Sequence, residues 1–452
     1  MGNGFAYAVI ACWPLLSIYW YRTKNIQTAT VWTILGGFMF LPVKTEIDLP
    51  MVPAMGKHTI PVCSALMGCW LVKKYHISYI KELGQLKYLV ILLLVTPFIT
   101  SALNSDTLVM GWRSIKGLTY YDGLSATINQ FLIISPFFMG RQFFRTYEHQ
   151  LLVFKLLVVA GLIYSIPMLF EVRMSPQFHA WFYDYFPHSF AQQKRYGGFR
   201  PVVFMGHGLW VAFFSAVVLL ASVALWNNRV QIRRLNSTLV SVYLLAVLIL
   251  CKSIASLAYG VFAFVLLKKA GTKIQHKIAI MLVSLAMLYP FMSISEVFPH
   301  QAIMAVATTL SEERAQSLQF RFDNEDALLS HGRERFFFGW GGWGRNRVYD
   351  NQTGTDLSVT DGQWIITFGV AGIVGFIAEF GLLAVTVFRA QKAAKYLKET
   401  SEKNLLSAHA ILVGIIMIDQ LPNASLAPWL WLLAGILLGR SEQILVENKV
   451  KF

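Results

Sequence analysis

Charge is scarce in this chain. Only 14% of its 452 residues are Asp, Glu, Lys or Arg, while 56% are hydrophobic and the mean hydropathy is +0.52. A soluble domain carries nearer a quarter charged residues, so a water-soluble globular class is excluded. Cysteine is almost missing. Cys12, Cys63, Cys69 and Cys251 all lie in apolar stretches, and no spacing between them fits a zinc or redox site. Metal-ligand patterns are lacking too: there is no HExxH, no DxD-type acidic pair in a suitable loop and no Cys/His cluster. Without a P-loop either, chemistry driven by a nucleotide or a resident metal is disfavoured, and no cofactor is expected.

Apolar segments fill most of the chain. They run near 4–21, 29–43, 59–72, 88–104, 124–140, 151–170, 205–226, 237–251, 254–267, 277–293, 363–388, 404–420 and 425–439. Most are long enough to cross the hydrocarbon core. The expected fold is an all-α polytopic integral membrane protein of about 12–13 transmembrane helices. It forms one domain over 1–452, with a large late loop at 294–362. The first stretch, Phe5 to Tyr21, has no basic segment ahead of it and is expected to be a retained helix.

The net charge of +15 could suggest nucleic acid, but its location argues against that. Turns around Arg22, Lys73, Arg141, Arg229, Lys268 and Arg389, with the C-terminal segment from Arg440, form one set, which holds 23 Lys/Arg against 6 Asp/Glu. The opposite set holds 15 against 16. The bias marks the first set as cytoplasmic, attracted to anionic lipid, and no nucleic-acid partner is expected. The N-terminus then lies outside and the C-terminus inside.

Three outer loops are long, about 105–123, 171–204 and 294–362. Outer loops are normally poor in arginine. These hold Arg113, Arg195, Arg200, Arg314, Arg321, Arg333, Arg335, Arg345 and Arg347, and such a cluster asks for an anionic partner. The stretch from Val306 to Ser330 reads as helical and amphipathic. The run FFFGWGGWGR at 336–345 is too glycine-rich for a helix and reads as a loop approaching something closely.

Four segments could carry chemistry. Lys194–His207, KRYGGFRPVVFMGH, sets Arg195 and Arg200 around a glycine pair at the entry to a helix, which suits an anion. The ordinary alternative is contact with lipid headgroups. Arg321 precedes Gly339 by 18 residues, with Trp340 and Trp343 in the glycine run beyond. Those tryptophans, with Tyr196, are candidates for stacking on sugar rings; the alternative is an interfacial aromatic belt. Asp361, just ahead of the 363–388 segment, is either a helix cap or a general base for a hydroxyl. Lys252 lies between two apolar segments, where it either faces a polar cavity or snorkels to headgroups. His331 is a second candidate base, although a lone loop histidine is more often neither base nor ligand. Glu379 and Asp419 lie in or at the end of apolar helices and could line a cavity or pair with arginine.

The order of these features resembles the bacterial O-antigen ligase and polysaccharide polymerase superfamily. RYGGFRP at 195–201 is similar to its arginine–glycine–aromatic segment. CKSIAS at 251–256 is similar to its short Ser-Arg-small turn, with Lys252 in the arginine's place. Arg321 followed by GWGGWG is similar to its large loop, and DGQWIITFGVAGIVGFIAEFGLL at 361–383 to its closing helix. The likeness covers roughly 190–390. It implies a metal-independent membrane glycosyltransferase of the bacterial inner membrane, with its site facing the periplasm. The donor would be an undecaprenyl-diphosphate-linked oligosaccharide. Arg195, Arg200 and Arg321, assisted by Lys252, would hold the diphosphate, and Asp361 or His331 would act on the acceptor hydroxyl. Ligases of the family usually carry histidine where Asp361 stands, which favours a polymerase of repeat units over a ligase acting on lipid A–core. Flippase and chain-length-regulator proteins would be partners. A flippase or transporter for lipid-linked sugars is the alternative from another class, and it should line a path with charge through both halves of the membrane.

Overall fold

In the computed structural model, residues 2–48, 53–80, 83–195, 197–232, 234–310 and 312–448 are described. The chain is helical almost throughout. α1 (Gly4–Thr23), α2 (Ile26–Phe40) and α3 (Thr59–Met67), which runs on through a π turn to Val72, open it. α4 (Leu86–Leu103), α5 (Tyr120–Phe143) and α6 (Tyr147–Met174) follow. After the short α7 (Phe178–Tyr183) come α8 (Gly208–Asn227), α9 (Ser237–Leu250), α10 (Ile254–Lys269) and α11 (Thr272–Ile294). α12 (His300–Leu310) and α13 (Glu312–Arg333) lie in the largest connection, and α14 (Gln363–Ala394), α15 (Thr400–Asp419) and α16 (Pro428–Glu447) close the chain. Two small hairpins, β1 (Leu108–Met110) with β2 (Arg113–Ile115) and β3 (Lys194–Arg195) with β4 (Gly198–Phe199), decorate the long connections.

Each of the thirteen apolar segments contains a helix. Eight helices among the described residues are long and apolar enough to cross a membrane, and three more apolar helices are shorter. The protein is therefore a multi-pass all-α membrane protein. Polar side chains set the helix starts: Asn3, Asn25, Thr146 and Asn236 each accept a first-turn N–H, and Thr119 with Asp122 forms a reciprocal capping box. α8, α15 and α16 are buried along most of their length and form the centre of the bundle. α1, α4 and α11 turn their apolar faces outward. Such outward apolar faces suit lipid, where no hydrophobic penalty attaches to them.

The long connections gather at one end. At the opposite end the charges pair among themselves: Arg141 donates to Glu442 at 2.7 Å, Arg389 also donates to Glu442, and Arg440 donates to Glu402 at 2.6 Å. The stretch read as helical and amphipathic is helical on both α12 and α13, but only α12 has an apolar side; α13 has no single apolar stripe.

α14 is broken at Gly372, whose φ of 65° and ψ of −169° are not helical. The chain at 336–341 fills the break. Trp340 N–H donates to Gly369 O at 2.8 Å and Gly341 N–H to Val370 O at 2.9 Å. Ile373 N–H donates to Phe336 O at 2.9 Å and Val374 N–H to Phe337 O at 3.2 Å. So the glycine-rich loop does approach something closely, namely the backbone of a helix. A Cβ on Gly372 would lie 2.2 Å from Phe337 O, and that backbone region is essentially closed to other residues. Gly372→Ala is expected to destabilise the purified protein by on the order of 3 kcal/mol in thermal unfolding. Gly381→Ala, where a Cβ meets only Leu89 side-chain atoms at 3.7 Å and beyond, should be neutral or mildly stabilising. Equal melting of the two variants would contradict this account of the break.

Candidate functional site

The segment before α8 is folded by a buried carboxylate. Glu171, fully buried at the end of α6, accepts N–H bonds from Gln177 (3.1 Å) and Phe178 (3.0 Å) on one oxygen. Its other oxygen accepts from Val202 (2.7 Å) and Val203 (2.8 Å). Four amides thus stabilise one anion. The turn they form directs Arg200 sideways, and its Nε and Nη2 each donate to Lys252 O at 3.2 Å. Lys252 occupies the tight α9–α10 turn at φ 51°. A Cβ on Gly198 would lie 2.1 Å from Lys252 Nζ, so glycine there is what lets the ammonium approach the hairpin. The structure brings Arg200, Gly198 and Lys252 together. Arg195 is exposed on β3, and Tyr196 lies outside the described residues.

His207 caps α8 through Nδ1, which accepts from Leu209 N–H at 3.0 Å. Burial, with His188 and Arg200 nearby, pushes its pKa down to about 4, so it is the neutral ring that accepts. Lys57 is a further staple. Its Nζ donates to Leu41 O at 2.5 Å and Phe204 O at 2.8 Å, and burial drives its pKa well below the usual lysine range.

The second group centres on α13. Arg321 Nε lies 3.5 Å from Asp361 Oδ2, with both side chains about two-fifths exposed (42% and 43%). They share a cavity of about 220 Å³ with Glu325, Tyr289 and Trp364. Glu325 accepts from Tyr289 OH at 2.8 Å and from Ser293 OH at 2.5 Å, and burial pushes its pKa up. Tyr259, in the second turn of α10, lies within electrostatic reach of Arg321 and Asp419, as Cys251 does of Arg200. Arg200 and Lys252 do not line the Arg321–Asp361 cavity. Asp361 precedes α14, whose cap residue is Gly362, so it is not the N-cap.

A larger cavity, about 650 Å³, opens on the other side of the Gly362–Gln363 segment. His58, Asp122, Asn129, Gln363 and Ser425 supply polar groups there, and Trp210 and Trp343 supply rings. Trp343 is 74% exposed and also borders an adjoining cavity of about 240 Å³ that reaches Thr367 and Glu379. Thr367 Oγ1 donates to Glu379 at 2.5 Å. Asp419 accepts from Asn423 (2.8 Å) and Ser425 (3.0 Å). Among the described residues neither acid forms an ion pair.

Two expectations need correction. Trp340 is only 7% exposed; it stacks on His331 (4.3 Å, 11°), carries the Arg335 guanidinium 4.4 Å from its ring centre, and donates its N–H to His331 O. It offers no open face to a sugar. His331 bonds Arg345 O at 2.9 Å through Nε2 and is covered by that ring, so its placement holds the loop together and does not suit a base. The outer arginines are also largely engaged within the chain. Arg345, with no exposed side-chain surface, donates to Asp106 O and Lys116 O, and Arg335 pairs with Asp106. Arg333 pairs with Glu296, Arg347 with Asp356, and Arg113 lies over Tyr349. The side chain of Arg314 lies outside the described residues.

Sequence reasoning missed Glu171, Lys57 and the polar wall of the large cavity. Only Asp122 left a signal, in its Thr-x-x-Asp cap spacing. The chain matches no protein-family model and no curated protein. Glu171→Ala should leave four buried amides without their acceptor and cost on the order of 3 kcal/mol or more, read as a lowered melting temperature. An unchanged melting temperature would show that the 201–204 turn forms without it.

Proposed function

We propose that this chain is a membrane glycosyltransferase that joins oligosaccharide units carried on a polyprenyl diphosphate. The loop-bearing end would face the periplasm of a bacterial inner membrane, and flippase and chain-length-regulator proteins would be its partners. The observation that carries the reading is the Arg321–Asp361 pair at the mouth of a cavity, a cation beside a carboxylate at 3.5 Å. A diphosphate needs the first and an attacking hydroxyl needs the second.

The residues divide the work by charge. Arg321, with Arg200 and Lys252 along the head of α10, would bind the diphosphate and stabilise the negative charge that grows on it as it leaves. The acceptor oxygen attacks the anomeric carbon, the bond from that carbon to the diphosphate oxygen breaks, and the electron pair leaves with the lipid diphosphate. Asp361 takes the hydroxyl proton. The sugar of one unit fits the large cavity, where Trp343 and Trp210 present rings and Asp122, Asn129 and Gln363 present hydrogen-bonding groups. The donor bond is already activated, so the step requires no nucleotide. Polymerase is preferred over ligase because Asp361 stands where ligases carry histidine. The flippase alternative is weakened by the opposite end, whose buried charges are paired with one another.

Arg321→Ala and Asp361→Asn, introduced in the producing cell, should each lower polymer on glycan gels by about 100-fold or more at equal protein level, the loss expected for a charge-stabilising group or a base. His331→Ala should act through protein level alone. Normal polymer from stably inserted Arg321→Ala would defeat the reading.

A further inference from the structure

The end of the bundle opposite the long connections holds a cavity of about 360 Å³ between the first turn of α11, the end of α14 and the start of α15. Lys273, Lys277, Lys395 and Lys403 line it, with Gln391 and His276, and no acidic residue does. This contrasts with the same end elsewhere, where Arg141, Arg389 and Arg440 all meet carboxylates. His276 is 4% exposed, and among the described residues neither of its ring nitrogens has a hydrogen-bond partner. Buried polar groups are almost always satisfied, so an imidazole buried in the wall of this cavity is suited to hydrogen-bond a ligand within it. Three of the lysines are exposed and Lys403 is half-buried, so their mutual repulsion is modest, and an anion among them would relieve it. The N-terminal turns of α11 and α15 add partial positive charge at the same place.

We propose that this cavity binds a phosphate-bearing anion. The lysines supply charge and His276 supplies a hydrogen bond from within the wall. The phosphate has two possible sources. One is the headgroup of an acidic phospholipid, which lies at the level where membrane helices end. The other is a soluble phosphate. The site is remote from the Arg321–Asp361 pair and does not rest on the glycosyl-transfer reading.

Thermal unfolding of the purified protein in a neutral detergent tests it. Added phosphatidylglycerol should raise the melting temperature while phosphatidylcholine should not, if the source is a headgroup. Inorganic phosphate should raise it, if the source is soluble. In either arm the four-lysine variant (Lys273→Gln, Lys277→Gln, Lys395→Gln, Lys403→Gln) should lose the effect, with binding weakened roughly fivefold per lysine removed, from ~1 kcal/mol for each basic residue at an anionic surface. Lys392→Gln with Lys398→Gln, at the same end but outside the cavity, should keep it. Acetylation of the unaltered protein gives a reading that needs no variant: the anion should shield the four cavity lysines more than Lys392 and Lys398. Failure of both anions to stabilise, equal loss in the outside pair, or equal shielding of all six lysines would overturn the proposal.

Discussion

A helix that breaks inside a membrane must pass its freed amides and carbonyls to a partner, because lipid offers none and each orphaned group costs about several kcal/mol. In this protein the break is in α14 at Gly372 and the partner is the backbone at 336–341. The exchange works in both directions across the gap. It pins the middle of the largest connection to the bundle, and Thr100 and Asn104 on α4 reinforce it by donating to Phe338 O and Gly339 O. Trp343 is thereby set beside the large cavity, and the chain returning to Asp361 runs past the middle of α13, where Val359 N–H donates to Asn324 Oδ1 at 2.8 Å. The candidate site is built around a repaired helix.

Arginine serves the same end. Arg345 and Arg335 meet at Asp106, and Arg345 reaches two carbonyls of the 105–117 connection. Together with Arg333 and Arg347 they staple loops that have little apolar surface with which to pack. A guanidinium is suited to this because its five donors can satisfy several carbonyls at once. The proposed diphosphate site draws on a smaller set than the sequence count suggests: Arg321, whose half-exposed side chain pairs with Asp361, and Lys252, whose carbonyl takes two donors of Arg200.

The helices were legible because lipid imposes one rule on every span: long, apolar and internally bonded. That rule placed thirteen apolar segments, each of which holds a helix, and eight of the described helices are long and apolar enough to cross a membrane. The glycine run at 336–345 was legible as a close approach, but not what it approaches, since α14 shows its break only as one more glycine in a glycine-rich helix. Lys252 and Arg200 were each visible as unusual charges, and their junction through Gly198 was not, because it spans some fifty residues of chain. Trp340 was misread for a general reason. Exposure and stacking partner decide whether an aromatic ring recognises a sugar or fills a wall, and spacing alone carries neither. Glu171 was invisible because its four partners are backbone amides, which no side-chain pattern reports.

The central claim is that Arg321 and the Arg200–Lys252 group act on one diphosphate. Equilibrium binding of a short-chain polyprenyl diphosphate to the purified protein, compared with the corresponding monophosphate, tests it most directly. The account predicts preference for the diphosphate, weakened by Arg321→Gln and by Lys252→Gln alike, with the preference over the monophosphate reduced in each variant. Equal affinity for the two lipids, or unchanged diphosphate binding in either single variant, would contradict it.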